Sequence, residues 1–329
     1  MVTRFPEPYV AAVVQWAPSF CDSASGTARA CAAIEAAAAE GARLVVFPEA
    51  WLTGYPYFQG VTRHPDYFPT WQAFAMSAIE VPGPEIDEIG RCARAVGAEV
   101  VLGVNERDRS DAVYNTMVFI GADGTLRGKH RKLIPTITES LVWSRGDGSD
   151  LDAHATGVGR IGGLMCYEHN MALARYACCT LGIQVHAALW PGFSFMDQMI
   201  DASNRQLAME NACFVMSARE VMSIDSVPSG LADFGDHSLW NSHGGSAIIA
   251  PGGGYLAGPV FDQETILTAE IDLRSTLNTK WWVNGTANYS RPDVFRLDWD
   301  RRQKPPVVAW NCDEPRVLHP PRAQPARDG

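Results

Sequence analysis

RLVVFPE, residues 43–49, is the stretch of sequence that decides the expected fold. Its apolar centre is typical of a buried strand, and Pro48 ends that strand. The preceding residues Ala28–Glu40 are rich in alanine without Pro or Gly, which predicts a helix that stops at Gly41. A helix followed by a buried strand therefore places the carboxylate of Glu49 just beyond a strand end.

This helix–strand unit recurs along the chain. Helices are predicted over Pro84–Val96, Leu173–Leu181 and Met196–Asn211, each followed by an apolar strand. Alternating helices and strands predict an α/β fold with layered packing. The predicted strands are Val10–Gln15, Arg43–Phe47, Glu99–Val104, Tyr114–Ile120, Thr125–Lys132, Val158–Cys166, Ile183–Trp190, Cys213–Ala218, Ser246–Ala250, Tyr255–Val260 and Thr265–Ile271, the pair Ser246–Ala250 and Tyr255–Val260 forming a hairpin.

No linker or fixed-period repeat divides the sequence of 329 residues. We therefore predict one domain over residues 1–302. Residues 303–329 are rich in Pro and Arg and lack periodicity, which indicates an extended C-terminal tail outside the core.

Composition excludes several classes of protein. A net charge of −10 argues against nucleic acid as a partner, and the basic run KHRK at 129–132 is typical of a solvated strand end. The eight cysteines include no C-x-x-C pair, and the histidines show no metal-binding spacing. No signal peptide or membrane-length apolar run is evident, so we expect no membrane partner, a cytoplasmic location and free thiols.

Three segments carry residues suited to chemistry. FPEAWLTGYP (47–56) contains Glu49, KHRKLIPT (129–136) contains Lys132, and GGLMCYEH (162–169) contains Cys166. Each has an ordinary alternative: a surface glutamate, an exposed lysine or a buried packing cysteine. A thiol at a strand end can nevertheless act as a nucleophile, a partly desolvated carboxylate as its base, and an ammonium as a stabiliser of anionic intermediates.

Read together and in this order, the three segments resemble the nitrilase superfamily, whose members use a Glu–Lys–Cys triad on an α-β-β-α sandwich. The resemblance runs from about Val10 to about Val294. The order Cys166-Tyr167-Glu168-His169 is similar to the C-W-E-H run of the nitrilase branch, whereas amidases and carbamoylases of the superfamily usually carry Asp at the position of Glu168. GDGS (146–149), WPGFS (190–194) and HGGS (243–246) also resemble that branch.

The resemblance implies roles for particular residues. Cys166 would be the nucleophile, Glu49 the general base and Lys132 the electrostatic stabiliser, and Glu139 matches a fourth catalytic residue. The sequence departs from the family pattern twice, with Tyr167 where Trp is usual and Ser140 where Arg is usual. We expect His169 and Glu168 to hold the catalytic residues in position without contacting the substrate. The aromatic residues expected to line the substrate pocket are Tyr55, Trp51, Tyr167, Trp190 and Phe193.

The function implied by the resemblance is hydrolysis of an organic nitrile to a carboxylic acid and ammonia through a thioimidate and a thioester. Water is the second substrate, and no cofactor or metal is expected. The resemblance also implies a homodimer or a larger homo-oligomer. Cyanide dihydratase, a superfamily amidase or carbamoylase, and a non-catalytic binding protein on the same fold stay open as alternatives.

Overall fold

A computed structural model describes residues 5–228, 230–231 and 241–304 of the chain. Most of the predicted C-terminal tail, including Cys312, lies outside the described residues, as does His237. Within them, two β-sheets stack face to face and helices cover both outer faces. The predicted α-β-β-α sandwich is therefore confirmed.

Among the described residues, the first sheet has six strands, and three neighbouring strands within it are parallel. In spatial order the strands are β13 (Thr265–Ile271), β1 (Tyr9–Gln15), β2 (Ala42–Val46), β3 (Glu99–Arg107), β4 (Val113–Ile120) and β5 (Leu126–Arg131). Strands β1, β2 and β3 run parallel, and the other neighbours pair antiparallel. Because two antiparallel steps separate β5 from β3, β5 ends at the same edge of the sheet as β2.

The second sheet has seven strands within the described ranges, and its centre is also parallel. In spatial order they are β10 (Val221–Met222), β11 (Ser242–Ile249), β9 (Phe214–Arg219), β8 (Val185–Trp190), β7 (Gly159–Met165) and β6 (His154–Thr156), with β12 (Tyr255–Phe261) also paired to β11. Strands β7, β8 and β9 are parallel. The predicted hairpin of late strands is confirmed as the antiparallel pair β11–β12.

In the described part of the chain, six α-helices complete the sandwich: α1 (Ser23–Ala39), α2 (Tyr67–Ser77), α3 (Pro84–Val96), α4 (Ala172–Thr180), α5 (Asp197–Asn211) and α6 (Thr276–Trp282). Helices α1 and α3 bury apolar side chains against the first sheet, and α4 and α5 against the second. A third apolar layer fills the space between the sheets. Area removed from water in these three layers is the main stabilising contribution to such a fold.

The pairing of two cysteines differs from the expectation of free thiols. Cys31 on α1 and Cys92 on α3 form a disulfide. The two helices pack side by side and bring these Cα atoms to 5.6 Å, a separation that a disulfide spans. The free cysteines among the described residues are Cys21, Cys166, Cys178, Cys179 and Cys213.

No helix in the described part of the chain is both long and apolar enough to cross a membrane. The cytoplasmic location stays a prediction.

Candidate active site

Three strand ends meet at one edge of the sandwich. Glu49 follows β2, Lys132 follows β5 and Cys166 follows β7. The ammonium of Lys132 donates to Glu49 Oε1 at 2.8 Å and to Glu139 Oε2 at 2.7 Å. All four side chains are almost completely buried. The fold thus brings together residues that are up to 117 positions apart in the sequence, Glu49 and Cys166 being the outermost of them.

The thiol of Cys166 faces this ion-pair cluster. Its sulfur and one carboxylate oxygen each of Glu49 and Glu139 all lie within 4.8 Å of one another. Cys166 has a φ of +50°, a left-handed conformation that is uncommon for a residue other than glycine. It is the first residue of a 3-10 turn, Cys166–Asn170, directly after β7. The abrupt change from strand to turn directs the thiol toward the cluster.

The carboxyl group of Glu49 is arranged to accept a proton. Burial raises the pKa of Glu49 to about 7, and the charge of Glu139 adds to that rise while Lys132 opposes it. Its Oε1 accepts hydrogen bonds from Lys132 and from Asn115 Nδ2. Its Oε2 has no hydrogen-bond partner among the described residues. A carboxylate with a pKa near neutrality and one unoccupied oxygen can act as a general base.

Lys132 and Cys166 hold their protons in the resting site. Burial alone would lower the pKa of Lys132, but the negative charges of its neighbours, including the carboxylates of Glu49 and Glu139, outweigh it and raise that pKa. Burial raises the pKa of the Cys166 thiol, even though Lys132 opposes that rise. The cluster therefore contains a neutral thiol next to a base and a fixed positive charge.

Glu49, Glu139 and Cys166 are also the kind of residues that can ligate a metal ion. The ammonium of Lys132 hydrogen-bonds to both carboxylates, so a cation is already present between them. This arrangement fits catalysis by the side chains themselves better than a metal centre.

Comparison with known proteins decides the family. Residues 10–280 match the carbon-nitrogen hydrolase family. The chain belongs to the carbon-nitrogen hydrolases.

Relatives with known names indicate the type of reaction that this carbon-nitrogen hydrolase catalyses. It is 36% identical over 299 residues to nitrilase 2 of an unknown prokaryotic organism, covering 90% of this chain and 94% of that protein. It is 38% identical over 314 residues to a nitrilase of Bradyrhizobium diazoefficiens, covering 92% and 96%. Among solved structures, Saccharomyces cerevisiae Nit3, a member of branch 10 of the nitrilase superfamily, superposes with a TM-score of 0.70 at 22% identity over 86% of this chain and 96% of that one. The protein is a nitrilase-type hydrolase that acts on carbon–nitrogen bonds.

A cavity of about 580 Å³ opens over the cluster of this carbon-nitrogen hydrolase. Glu139 and Cys166 line it, and the hydroxyl of Tyr55 donates to Glu139 Oε1 at 2.6 Å. Of the aromatic residues predicted to line the substrate pocket, Tyr55, Tyr167 and Phe193 lie on the cavity wall.

The structure places Trp51 and Trp190 elsewhere, in the packing layers. Both are fully buried. Trp51 packs against Phe47 with ring centroids 4.9 Å apart, and its indole N–H donates to the carbonyl of Trp16. Trp190 stacks on His169 at 4.5 Å. Both motifs lie next to the site in sequence, but strand ends and tight turns direct these two rings away from the cavity.

Glu168 connects two of the strand ends from behind the cavity. Its carboxylate accepts hydrogen bonds from the backbone N–H of Leu133 and of Met165, both at 2.7 Å. These two residues are the chain neighbours of Lys132 and Cys166. Glu168 therefore fixes the backbone that carries the ammonium relative to the backbone that carries the thiol, in keeping with the predicted supporting position.

His169 supports the turn that holds the nucleophile candidate. Its Nδ1 lies 2.8 Å from the carbonyl oxygen of Cys166, and its Nε2 lies 3.1 Å from Nε2 of His186. Burial lowers the pKa of His169 to about 4, so the ring is neutral. With Nδ1–H donating to Cys166, Nε2 accepts from His186. The imidazole is thus occupied on both sides and is not oriented as a base for the thiol.

Sequence reasoning missed several residues that build the site. Asn115, the third residue of β4, donates to Glu49, and a polar residue in a mainly apolar strand was an available signal. Gly103 on β3 lies against the backbone of Pro48 and Glu49, so closely that a Cβ there would collide with the Pro48 carbonyl. His130 bonds to Glu168, and this could not be read from a basic run in the sequence.

Proposed function

We propose that the protein is a nitrilase that hydrolyses an organic nitrile to the carboxylic acid and ammonia. One observation carries the proposal: the buried thiol that lines the cavity lies within 4.8 Å of an oxygen of the Glu49 carboxylate, and an ammonium is fixed between this carboxylate and that of Glu139. The similarity to curated proteins named nitrilase supports the same reaction.

In this mechanism Cys166 adds to the nitrile carbon while Glu49 takes the thiol proton. Because burial keeps the thiol protonated at rest, the base must act during the attack, and the pKa of Glu49 near 7 suits that role. The proton passes to the nitrile nitrogen, which gives a thioimidate.

Water then adds to the thioimidate carbon, and the tetrahedral intermediate expels ammonia to leave a thioester. A second water, activated by Glu49, hydrolyses the thioester and restores the thiol. Lys132 and the backbone N–H of Tyr167, which lies beside the sulfur, would stabilise the negative charge that develops. Glu139 would hold Lys132 in position through the 2.7 Å hydrogen bond.

The assay measures ammonia released from a panel of nitriles, cyanide and the matching amides by the purified full-length protein. We expect release from a nitrile, far less from its amide, and none above background from Cys166→Ala. Cys178→Ala, which also removes a fully buried thiol, is the matched control and should keep activity. Ammonia from amides alone would make the protein an amidase, from cyanide alone a cyanide dihydratase, and retained release by Cys166→Ala would remove Cys166 from the mechanism.

We also propose that the protein assembles as a homodimer or a larger homo-oligomer. Light scattering after size exclusion tests this directly. A monomer at micromolar concentration would contradict it.

A further inference from the structure

The cavity has a largely apolar wall, and Glu139 and Cys166 are the members of the cluster that line it. The rings of Tyr57, Phe193 and Phe195 form much of this wall together with Met196 and Met199. The Phe193 ring lies 5.2 Å from both Tyr57 and Phe195, measured between centroids. Such a surface removes apolar area of a ligand from water and offers ring edges and faces to an aromatic group.

The charges around the cavity disfavour an anionic substituent. None of the residues of the described chain that line it is a Lys, Arg or His. The nearest cation of the cluster, Lys132, already bonds to two carboxylates. A substrate carboxylate would therefore approach Glu139 without a cation to pair with, and losing its water there is costly.

The size of the cavity also restricts the substrate. At about 580 Å³ it is in the range of pockets that enclose ring-containing small molecules. Cyanide or acetonitrile would leave most of the aromatic wall in contact with water. A substrate gains binding energy from the wall only if its substituent is large enough to contact it.

A buried carboxyl group behind the wall fixes one of its rings. Glu220 directly follows β9, is fully buried, and its Oε1 accepts a hydrogen bond from the Tyr57 hydroxyl. Burial raises the pKa of Glu220 to about 8, so it is mainly neutral at pH 7. The adjacent guanidinium of Arg219 donates to Asp197 at 2.8 Å and to the carbonyl of Phe193 at 3.0 Å. Glu220 Oε2 has no hydrogen-bond partner in the described part of the chain.

From these observations we propose that the site selects nitriles whose cyano group is attached to a bulky, uncharged apolar substituent, above all an arylalkyl group, and that Glu220 positions the aromatic wall through Tyr57. This inference rests on the proposed nitrilase function. Among the described residues, the side chain of Glu220 hydrogen-bonds to Tyr57 and to no member of the cluster around the thiol, so it acts through Tyr57 as a positioning residue.

A matched series of nitriles tests the substrate class. Phenylacetonitrile, cyclohexylacetonitrile, acetonitrile and cyanoacetate share the cyanomethyl group and differ only in the substituent. We expect kcat/KM for phenylacetonitrile to exceed that for acetonitrile by about 10- to 100-fold, since a buried ring contributes about that much, with cyclohexylacetonitrile between them and cyanoacetate last.

Equal or better turnover of acetonitrile or cyanoacetate, dependent on Cys166, would overturn the substrate class and leave the proposed function intact. If no nitrile released ammonia above the level of Cys166→Ala, the proposed function and this inference would both fall.

Variants at the wall test the role of Glu220. Glu220→Leu removes the acceptor for Tyr57 and should raise KM for phenylacetonitrile about 10-fold, with kcat and the acetonitrile KM changed less than about 3-fold. Glu220→Gln keeps an acceptor of the same shape and should restore the low KM. Tyr57→Phe removes the other partner and should behave like Glu220→Leu, which keeps the test available if the leucine variant does not fold.

Phe295→Ala, which removes an aromatic side chain that is 78% exposed and outside the cavity lining, is the matched control and should leave the kinetics unchanged. If Glu220→Gln is as impaired as Glu220→Leu, or if both leave KM for phenylacetonitrile unchanged, Glu220 does not position the wall.

Discussion

Two buried clusters of ionisable groups lie side by side at the strand ends, and they are built from similar residues. The reactive cluster consists of Glu49, Lys132, Glu139 and Cys166. The clamp consists of Glu168, His130 and Asp150, in which His130 lies 3.1 Å from Glu168 Oε2 and 3.0 Å from Asp150 Oδ1. Each cluster contains a fully buried glutamate next to a buried cation.

The two glutamates nevertheless have opposite pKa shifts. Burial alone would raise the pKa of Glu168, but His130 and two backbone N–H groups outweigh it and lower that pKa. Glu49 has one oxygen without a donor, and burial raises its pKa to about 7. At equal burial, the number of donors to the carboxylate decides whether it remains a fixed charge or can exchange a proton.

The largest expected effect on the rate comes from a substitution in the reactive cluster. Glu49→Gln should lower kcat/KM by about 10³-fold, because an amide cannot accept the thiol proton. The matched control is Glu99→Gln. Glu99 is also a buried glutamate, and burial raises its pKa too, but it is the first residue of its strand and lies outside the reactive cluster. Near-normal rates for Glu49→Gln would exclude it as the base.

We expect the same residue to set the acidic side of the pH profile. Because the pKa of Glu49 is raised to about 7, the base is protonated below that pH, and kcat/KM should fall about tenfold per pH unit there. If kcat/KM stayed constant down to pH 5, Glu49 would not be the base whose protonation limits the rate.

The next largest effect is expected from a substitution in the clamp, Glu168→Gln. In Glu168→Gln one carboxylate oxygen becomes an NH₂ group that faces a backbone N–H donor, so the two strand ends are no longer held at fixed positions. We expect a loss of about 10- to 100-fold in kcat, since small displacements of catalytic groups have effects of that size. The urea midpoint should fall as well, because a buried hydrogen bond is lost. A stable variant with unchanged kcat would show that the clamp does not position the reactive cluster.

The contrast also shows how much the sequence could predict. The Pro84–Val96 helix was predicted with its true limits, because Pro at its start and Gly97 after its end both limit a helix locally. The order of strands followed by Glu49, Lys132 and Cys166 resembles a known family, and that resemblance predicted three residues that the fold indeed brings together from two different sheets.

The sequence does not reveal where a side chain points in the folded protein. The run 129–132 was interpreted as a solvated strand end, yet its side chains alternate about the strand. Lys129 and Arg131 form salt bridges with Glu106, whereas His130 and Lys132 are each 1% exposed and belong to the clamp and to the reactive cluster, respectively.

Helices α2 and α6 were not predicted. Helix α2 buries Tyr67 and Phe74 but exposes Phe68 and Met76, and α6 exposes two tryptophans, so apolar residues occur on both faces and the sequence shows no clear amphipathic pattern.

The smallest expected effect lies at alkaline pH and belongs to the clamp alone. Burial would lower the pKa of His130, but Glu168 and Asp150 outweigh it and raise that pKa to about 10. A raised folded pKa means that the contribution of His130⁺ to stability is complete below its unfolded pKa of about 6.5 and is lost as pH rises through about 10.

Urea midpoints at pH 7 and pH 10.5 measure this loss. Other groups titrate over the same range, so the wild-type protein is compared with His130→Gln, which has no charge to lose at that position. We expect the wild-type midpoint to fall further than that of the variant, by on the order of 0.5 M. Parallel falls in the two proteins would mean that His130 is not a charged member of the clamp, and the fixed charge opposite Glu168 would have to be sought in another residue.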